Sequence, residues 1–377
     1  MIVVEIVFWV AVGLLVYTQV GYALLLALLV RLTAGRRPRD ASPPGELPPV
    51  TAIIAAYNEQ DVISARIANL RSLDYPPGRM QVIVASDGST DHTAARARAA
   101  GAELVLELPR GGKIRAQDAA VAQASGELLV FSDANALWQR DALKRIVAAF
   151  SDPQIGYVCG DVSFLDPDGT NQEGLYWRYE MWLRRMESAL SSVTAGNGAI
   201  YATRRDSYLS VDPLAGHDLS FPFNMVKRGW RAIYVTDARA TEKMAPSIEG
   251  EFTRKRRMAR RTWPTVFSSG LLSPRGYSPL YALMIFSHRI LRYLVPFLHL
   301  VALAANIVLV GRGWVYVVTL VLQLALYVGA ALAPLAPARP LLVARYYVVT
   351  NWALAAGLWD WLRGERSPIW ETVEGTR

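Results

Sequence analysis

The sequence predicts an α/β domain with a mostly parallel sheet, flanked by membrane-spanning helices. Two observations carry this prediction: long apolar runs lie near both ends of the chain, and between them strand-like runs alternate with helical patterns. Hydrophobic residues make up 52% of the 377 residues and charged residues 19%. An average soluble protein has roughly 25% charged residues. The composition therefore excludes a disordered chain and argues against a purely soluble one.

The first apolar run, residues 2–30, contains a single charged residue, Glu5. A helix of this length can cross a hydrocarbon core of about 30 Å. A cleaved signal peptide is the competing interpretation, but no basic segment precedes the run and no small-residue cleavage site follows it. Arginines follow the run at once, and positive charge marks the cytoplasmic end of a span. We therefore expect the N-terminus outside and the chain from residue 31 inside.

A linker is predicted over residues 31–49, and its second half is rich in proline and other turn-forming residues. Residues 50–270 have the composition of a globular domain. Apolar character then returns, and about three C-terminal spans are predicted within 293–360. Residues 271–292 carry several charges and are interpreted as an interfacial region leading into the first of these spans, or alternatively as part of another, tilted span. The side of the membrane on which the tail, 361–377, lies stays open.

The net charge and the single cysteine limit the chemistry. A formal net charge of +8 favours nucleic acid, an anionic membrane surface or a phosphorylated ligand as partner. Much of the excess lies beside apolar runs, where the positive-inside rule explains it, so nucleic acid is not expected. Cys159 alone forms neither an internal disulfide nor a multi-cysteine zinc site. Catalysis must use carboxylates, amides, hydroxyls, histidines or a metal bound by oxygen.

Polar motifs follow successive predicted strands of the globular segment. The strand-like runs are 50–56, 81–85, 103–106 and 128–131, and helices are predicted over 60–71, 92–100 and 113–124. This alternation indicates βαβ units, in which ligands bind at the carboxyl ends of the strands. Asn58, Asp87 and Asp133 fall at such ends. Each motif alone is also ordinary turn or capping chemistry, but their order and placement favour a shared nucleotide site.

With these motifs in place, the sequence resembles the family 2 inverting glycosyltransferases of GT-A (Rossmann-like) fold, in particular the membrane-integrated type of bacterial polysaccharide synthesis. The resemblance covers about residues 50–265. The motifs that carry it are Ala55-Ala56-Tyr57-Asn58-Glu59, Ser86-Asp87-Gly88-Ser89-Thr90-Asp91, Gly112-Lys113, Ser132-Asp133-Ala134-Asn135, Gly216-His217-Asp218 and Arg254-Lys255-Arg256-Arg257-Met258.

The resemblance implies contacts to a nucleotide sugar by Tyr57, Asn58, Glu59, Asp87, Gly88, Lys113, Asp133 and Arg257. Asp133 matches the first aspartate of the family's Asp-x-Asp motif and is expected to bind Mg²⁺ or Mn²⁺ bridging the diphosphate. A hard cation neutralises the charge that develops on the leaving group. Asn135 stands at the second aspartate of the motif. Its amide oxygen can still act as a ligand, but the site has one negative charge fewer.

The resemblance also implies an acceptor side. Asp218 matches the catalytic base, which takes a proton from the acceptor hydroxyl, and a single displacement with inversion needs only one such carboxylate. Its alternative interpretation is a residue of a capped loop before the amphipathic segment 219–228. Three small or polar residues, Gly196, Asn197 and Gly198, match the loop that lines the acceptor side. His217 is also placed there, with a local hydrogen-bonding role.

A basic segment, 254–261, occupies the place of the family's Gln-x-x-Arg-Trp motif. Arg257 matches the arginine, and a guanidinium is well suited to bidentate contact with a diphosphate. Arg254 and Met258 replace the glutamine and the tryptophan, which weakens the case for processive chain growth, and Trp263 is the nearby candidate for an acceptor contact. The alternative is a basic helix lying on an anionic bilayer surface. A helix predicted over 172–190 is rich in aromatic residues and fits a membrane interface, sugar stacking or core packing.

The sequence thus predicts a membrane enzyme that transfers a hexosyl group from a UDP- or GDP-sugar at the cytoplasmic face of the inner membrane. The expected acceptor is a polysaccharide or a lipid-linked sugar, and partners in a polysaccharide synthesis or export complex are possible. A catalytically degenerate membrane scaffold is the alternative, because the second metal aspartate and the glutamine and tryptophan of the basic motif are replaced. A nucleotidyltransferase fits less well, since 55–59 contains no glycine.

Overall fold

The computed structural model describes residues 1–33, 46–165, 172–243 and 248–365. Most of the predicted linker, 34–45, and most of the tail, 366–377, lie outside the described residues. The helices are α1 Ile2–Val16, α2 Tyr22–Thr33, α3 Ile63–Arg71, α4 Thr93–Ala99, α5 Lys113–Val121, α6 Ala142–Ala149, α7 Gln172–Leu190, α8 His217–Lys227, α9 Ile248–Ser268, α10 Pro279–Met284, α11 Leu291–Leu309, α12 Trp314–Leu332 and α13 Arg339–Leu362.

Eight strands of the described chain form one mixed sheet in the order β3-β2-β1-β4-β7-β6-β8-β5. The strands are β1 Val50–Ala56, β2 Met80–Asp87, β3 Leu104–Leu108, β4 Leu128–Ser132, β5 Leu137–Trp138, β6 Ile155–Leu165, β7 Tyr201–Arg204 and β8 Arg231–Lys243. The first four strands in this order are parallel neighbours, as predicted. The antiparallel strand β7 joins them to the parallel pair of β6 and β8, and β5 closes the edge.

The central strand β1 is buried on both faces, which explains why its sequence is apolar apart from Thr51. Successive side chains of a strand point to opposite faces. Ile54 therefore packs in one cluster with residues of α3 and α6, while Ile53 packs in a second cluster with residues of α5 and α8. All four sequence-predicted strands and the helices after the first three are present to within a few residues. The α/β prediction is confirmed.

Four helical segments of the described chain are long and apolar enough to cross a membrane: Ile2–Thr33, Pro279–Arg312, Trp314–Leu332 and Arg339–Leu362. The first joins α1 to α2 through a π-helical turn, Tyr17–Gly21. The second joins α10 to α11 through another π-helical turn, Ile285–Ile290. One of these candidate spans lies near the N-terminus and three lie in the C-terminal region.

The predicted interfacial region, 271–292, differs in one respect from the structure. From Pro279 onward it belongs to the same continuous helix, Pro279–Arg312, as the following candidate span. The charged residues do not interrupt the helix because they are buried against α7. His288 lies 2.6 Å from Glu187, and Arg289 lies 3.2 Å from Glu180. These side chains contact protein carboxylates instead of facing lipid.

The last described helix, α13, packs tightly against α9. Asp360 is buried, and its carboxylate accepts hydrogen bonds from Arg256 at 2.6 and 2.7 Å and from Arg260 at 2.9 Å. Gly357 permits the close approach, since a Cβ at that position would lie 2.4 Å from the Cβ of Ala259. The candidate span α13 thereby fixes the position of the basic helix α9.

Asp360→Asn is expected to lower the free energy of unfolding by about 1–2 kcal/mol, because two charge-assisted hydrogen-bonded pairs are weakened. The loss stays moderate since the side chains of Arg256 and Arg260 are 38% and 39% exposed, and water replaces part of the interaction. Denaturant unfolding of the detergent-solubilised chain measures it. Glu365→Gln is the matched control, because Glu365 is a half-exposed carboxylate 3.6 Å from the same Arg260. Equal stability of the two variants would contradict the prediction.

Candidate active site

The loops after β1 and β2 are held together by hydrogen bonds. Asn58 adopts a left-handed conformation with φ of 50°, which asparagine tolerates better than most residues. Its side-chain oxygen accepts a hydrogen bond from the backbone N–H of Thr90 at 2.9 Å, and its own N–H donates to Ser89 at 3.1 Å. The N–H of Glu59 donates to Thr93 at 2.8 Å. The first two sequence motifs therefore form one rigid edge at the carboxyl ends of the strands.

Asp87 links the loop after β2 to the loop after β3. Its carboxylate is 1% exposed and accepts hydrogen bonds from the backbone N–H groups of Gly111 at 2.6 Å and Gly112 at 3.0 Å. Gly88 has φ of 67°, and a Cβ there would lie 2.9 Å from the backbone nitrogen of Arg110. The guanidinium of Arg110 lies over the ring of Tyr57. The Gly112-Lys113 motif thus packs onto the first two motifs, and the hydrogen bonds to Asp87 fix the start of α5.

Lys113, the first residue of α5, forms an ion pair with Asp133 at the end of β4. The two side chains are 18% and 27% exposed, so they face an open space at the edge of the sheet. Gly198 borders this space: a Cβ there would lie 3.1 Å from a carboxylate oxygen of Asp133 and 3.2 Å from the ammonium of Lys113. Two motifs that are 20 residues apart in sequence therefore meet.

The residues at this point fit a divalent cation held jointly with a diphosphate. The Asp133 carboxylate already pairs with one cationic group, the ammonium of Lys113. Asn135 follows in the same turn, and its side-chain oxygen can act as a second metal ligand. Within the described ranges, no group of three histidine, cysteine or acidic residues is arranged to hold an ion by itself. Mg²⁺ commonly binds through one or two carboxylates together with substrate phosphates, so a small donor set is what such a site needs.

Two charged residues that sequence reasoning missed lie close to Asp133. Glu242 on β8 is half-buried, and desolvation together with the charge of Asp133 raises the pKa of its carboxyl group. Arg66 on α3 is fully buried, and burial lowers the pKa of its guanidinium although Asp133 and Glu242 oppose this. Its guanidinium lies 4.6 Å from the ring centre of Trp138. Neither residue stands in a recognisable motif, and only the tertiary fold brings them to the strand ends.

The acceptor-side loop is packed against the catalytic candidate. The backbone N–H of Gly196 donates to the carbonyl oxygen of Asp218 at 2.6 Å. The neighbouring Asn197 is buried and holds the loop, since its side chain donates to Gly160 at 2.7 Å and accepts from Ile200 at 2.9 Å. Asn197 thus positions the loop. Gly196 is the residue of the predicted set that reaches the cavity described below.

Gly196→Ala is expected to destabilise the chain by about 1–3 kcal/mol, because the new Cβ would lie 1.8 Å from the buried hydroxyl of Tyr157. Tyr157→Phe in the same chain should recover part of the loss, since that hydroxyl has no hydrogen-bond partner among the described residues. Thermal unfolding measures both effects. Gly13→Ala is the control, as nothing lies within 4 Å of a Cβ there. A neutral Gly196→Ala would contradict the close packing.

His217 and Asp218 begin α8 but lie in different surroundings. His217 is buried, and its Nδ1 lies 2.7 Å from the hydroxyl of Tyr201. Burial, with a smaller contribution from Lys113, holds the pKa of His217 well below its usual range, so the imidazole is neutral. This agrees with a local hydrogen-bonding role. Asp218 is partly exposed and lines a large cavity.

This cavity has a volume of about 780 Å³ and lies between the soluble domain and the membrane helices. Asp218 and Gly196 contribute from the sheet side, and α7 and α9 form side walls. Val295 of α11, Val343 of α13 and Gln19 of the N-terminal helix contribute from three candidate spans. The candidate base therefore opens onto a space that continues between apolar helices.

The two predicted site residues of α9, Arg257 and Trp263, have different environments. Arg257 lies one turn before Arg261 on the same helix face, and burial lowers the pKa of Arg261 while the charge of Asp218 opposes this. Trp263 is 2% exposed, and its indole N–H donates to Leu354 at 3.0 Å. Its ring packs with Tyr293 among the membrane helices. The structure thus places Trp263 in the packing behind the cavity.

The fold and the motifs at the strand ends define the class: a GT-A domain carrying membrane helices. A family model described as "Glycosyltransferase like family 2" matches residues 48–261, more than half of the chain, and the chain belongs to this family. Over 96% of its length it superposes on all of the solved chain of the mannosyltransferase PcManGT from Pyrobaculum calidifontis, in complex with GDP-Man and Mn²⁺, with a TM-score of 0.71 and 24% identity. That likeness shows the shared fold.

Curated relatives match parts of the chain. An N-acetylglucosaminyltransferase of Rhizobium meliloti (strain 1021) is 28% identical over 63% of this chain and 60% of its own length. A beta-monoglucosyldiacylglycerol synthase of Synechocystis sp. is 34% identical over 40% of this chain and 33% of its own. The poly-beta-1,6-N-acetyl-D-glucosamine synthase of Staphylococcus aureus is 23% identical over 50% and 48%. The chain spans between about half and three-fifths of the length of the first relatives it matches.

Proposed function

We propose that the chain is a membrane-bound inverting glycosyltransferase that moves a hexosyl group from a UDP- or GDP-sugar to a lipid-linked acceptor or a polysaccharide. The observation that carries the proposal is the cavity of about 780 Å³ that opens on Asp218 at one side and on three candidate spans at the other. In this proposal the domain between the first span and the C-terminal spans faces the cytoplasm, in accordance with the arginines that follow the first span.

The donor side is supported by the geometry at the strand ends. Asp87 fixes the loop that presents Lys113, and Lys113 and Asp133 meet beside the space that Gly198 leaves open. Asp133 and Asn135 would hold Mg²⁺ or Mn²⁺ against the diphosphate, and the bound cation would neutralise charge on the departing group. The complex of PcManGT with GDP-Man and Mn²⁺ supports this assignment of donor class and metal.

The chemistry on the acceptor side follows from one carboxylate. An acceptor hydroxyl oxygen attacks the anomeric carbon, Asp218 takes its proton, and the bond from that carbon to the diphosphate oxygen breaks with the electron pair going to the diphosphate. Such a displacement inverts the anomeric centre and needs no glycosyl-enzyme intermediate. Lys113 and Arg257 supply fixed positive charge on the donor side. His217 is buried behind Asp218 and neutral, so it supports the start of α8 and leaves the proton transfer to Asp218.

A lipid-linked acceptor is favoured over a free polysaccharide chain because the cavity walls include apolar residues of α11 and α13. Apolar side chains at this depth suit an acyl or prenyl chain and leave the hydroxyls of a long glycan without partners. Met258 of α9 also lines the cavity, at the position where processive members of the family have tryptophan. Transfer of one or a few sugars to a lipid anchor fits these walls.

The test is release of free nucleoside diphosphate by the detergent-purified chain. A panel of UDP- and GDP-sugars is supplied with Mg²⁺ or Mn²⁺, with and without chelator, together with lipid-linked and oligosaccharide acceptors. We expect release from one donor, dependent on metal, with label appearing in a lipid-extractable product. No release from any donor would favour the alternative of a membrane scaffold that keeps the transferase fold.

A further inference from the structure

Arg184 of α7 is a buried cation with unused hydrogen-bonding capacity in the wall of the cavity. It is 5% exposed and lines the same space as Asp218. Its Nε and Nη1 atoms have no hydrogen-bond partner among the residues that the structure describes. The nearest carboxylate oxygen, of Glu180, lies 3.7 Å from Nε, within ion-pair range but too far for a hydrogen bond. Burying a guanidinium in this way is costly unless a ligand supplies the missing acceptors.

The carboxylate beside Arg184 is already shared. Glu180 lies 2.7 Å from Arg292, 3.2 Å from Arg289 and 3.2 Å from His288. Burial alone would raise the pKa of Glu180, but the charges of His288, Arg292 and Arg289 outweigh it and hold the pKa well below its usual range. Glu180 is therefore ionised and committed to these partners. It is shared among several cations, so it offsets the charge of Arg184 only in part.

The cavity as a whole carries an excess of positive charge. Among its described lining residues, Glu180 and Asp218 are the acidic ones, and six are cationic: Arg178, Arg184, Arg254, Lys255, Arg289 and Arg292. Lys255 lies 5.0 Å from the ring centres of Tyr176 and Tyr346, which holds it toward the same space. Apolar walls with this much cationic charge select an amphiphile that carries negative charge.

Arg184 also lies close enough to Asp218 for one molecule to contact both. Both charges act on the buried hydroxyl of Tyr157: Arg184 opposes and Asp218 adds to the rise in the pKa of that group, which burial dominates. Gly196, which contacts Asp218, packs directly over the same hydroxyl. Arg184 and Asp218 both line the cavity, so a ligand whose sugar hydroxyl lies at Asp218 can extend along the same space to Arg184.

We propose that the acceptor is a phosphate-linked lipid, in which a phosphate or diphosphate bound by Arg184 joins the accepting sugar to an apolar chain lying between α11 and α13. This rests on the proposed transferase function and specifies its acceptor. Neutral glycolipids would leave Arg184 without its acceptors, and a free anion would leave the apolar walls empty. Arg184 acts in this proposal as an acceptor-binding residue, and Asp218 remains the base.

The experiment measures binding to the full chain in a neutral maltoside detergent, with three probes: phytanyl phosphate, phytanol and inorganic phosphate. The first two share one apolar chain, and the third supplies the anion alone. We expect phytanyl phosphate to bind about tenfold or more tightly than either other probe, in line with the strength of hydrogen bonds to charged groups. Arg184→Gln should abolish the preference for the phosphate, whereas Arg184→Lys should keep part of it.

Arg185→Gln is the matched control, because Arg185 is the next residue of α7 and is exposed. It should bind like the unmodified chain. Equal binding of phytanyl phosphate and phytanol by the unmodified chain would overturn the proposal, even if Arg184→Gln failed to fold. So would tight binding of inorganic phosphate alone, which indicates a free-anion site, or an Arg184→Gln variant that folds and keeps the preference.

The failure of this proposal is distinguishable from failure of the transferase function. Sugar transfer to a neutral phytanyl glycoside is measured as release of nucleoside diphosphate. A rate equal to that found for the phytanyl diphosphate-linked sugar would support the transferase and overturn the phosphate-linked acceptor. Tight binding of phytanyl phosphate without release from any donor would retain the anion site and reject the transferase.

Discussion

Asp218→Asn is expected to lower the rate of sugar transfer by about 10²–10⁴-fold, the range that a general base contributes. The amide has nearly the same shape as the carboxylate but cannot take the proton of the acceptor hydroxyl. The backbone of Asp218 accepts the hydrogen bond from Gly196, and that contact does not depend on the side chain. The loop and the cavity should therefore persist, and donor affinity should stay within about twofold because the residue faces the acceptor cavity.

The measurement is single-turnover release of nucleoside diphosphate with saturating donor and acceptor, together with donor binding by competition. Asp206→Asn is the control, since Asp206 is an exposed aspartate near the end of β7 and remote from the lining of the cavity. Loss of transfer with unchanged donor affinity supports the base. A variant that retains more than about a third of the rate would exclude Asp218 from proton transfer, since the expected loss is at least 10²-fold.

Local sequence patterns sufficed for the elements that carry the donor motifs. The run at 50–56 is apolar apart from Thr51 because β1 is buried on both faces, and that signal needs no knowledge of neighbouring strands. The residues that end the strands are turn formers, so strand end and motif coincide in sequence. Placing Asn58, Asp87 and Asp133 at one edge then required only the parallel topology that the alternation predicts.

Tertiary contacts decide the features that the sequence left open. The charges of 288–292 favoured an interfacial helix, but the helix continues because Glu180 and Glu187, one hundred residues earlier, pair with them. Arg184 stands in a segment for which core packing and a membrane interface fitted equally well, with sugar stacking as a further option. Its missing hydrogen bonds become visible only when α7 is packed beside Asp218. Contacts of this kind join different elements, and neither a sequence period nor a motif predicts them.

Asp133→Asn is expected to lower metal-dependent turnover by about 10²–10³-fold, because the side chain loses the charge that attracts a divalent cation to the departing diphosphate. Weaker Mn²⁺ affinity should accompany this loss. Electron paramagnetic resonance of Mn²⁺ with UDP or GDP present reports the Mn²⁺ affinity without turnover, and a titration of turnover against Mn²⁺ reports the loss of rate. Asp237→Asn on β8 is the matched control, since Asp237 is an exposed aspartate of the same sheet.

The ion pair of Asp133 with Lys113 offers a competing explanation, in which the carboxylate merely holds the lysine against the diphosphate. The two explanations differ in what Lys113→Met does. If Asp133 serves only to position Lys113, then Lys113→Met and Asp133→Asn lose the same activity, and neither changes Mn²⁺ affinity in the presence of nucleotide. If Asp133 binds the cation, Lys113→Met should retain or strengthen Mn²⁺ binding, because it removes the ammonium that competes for the carboxylate, while Asp133→Asn should weaken it.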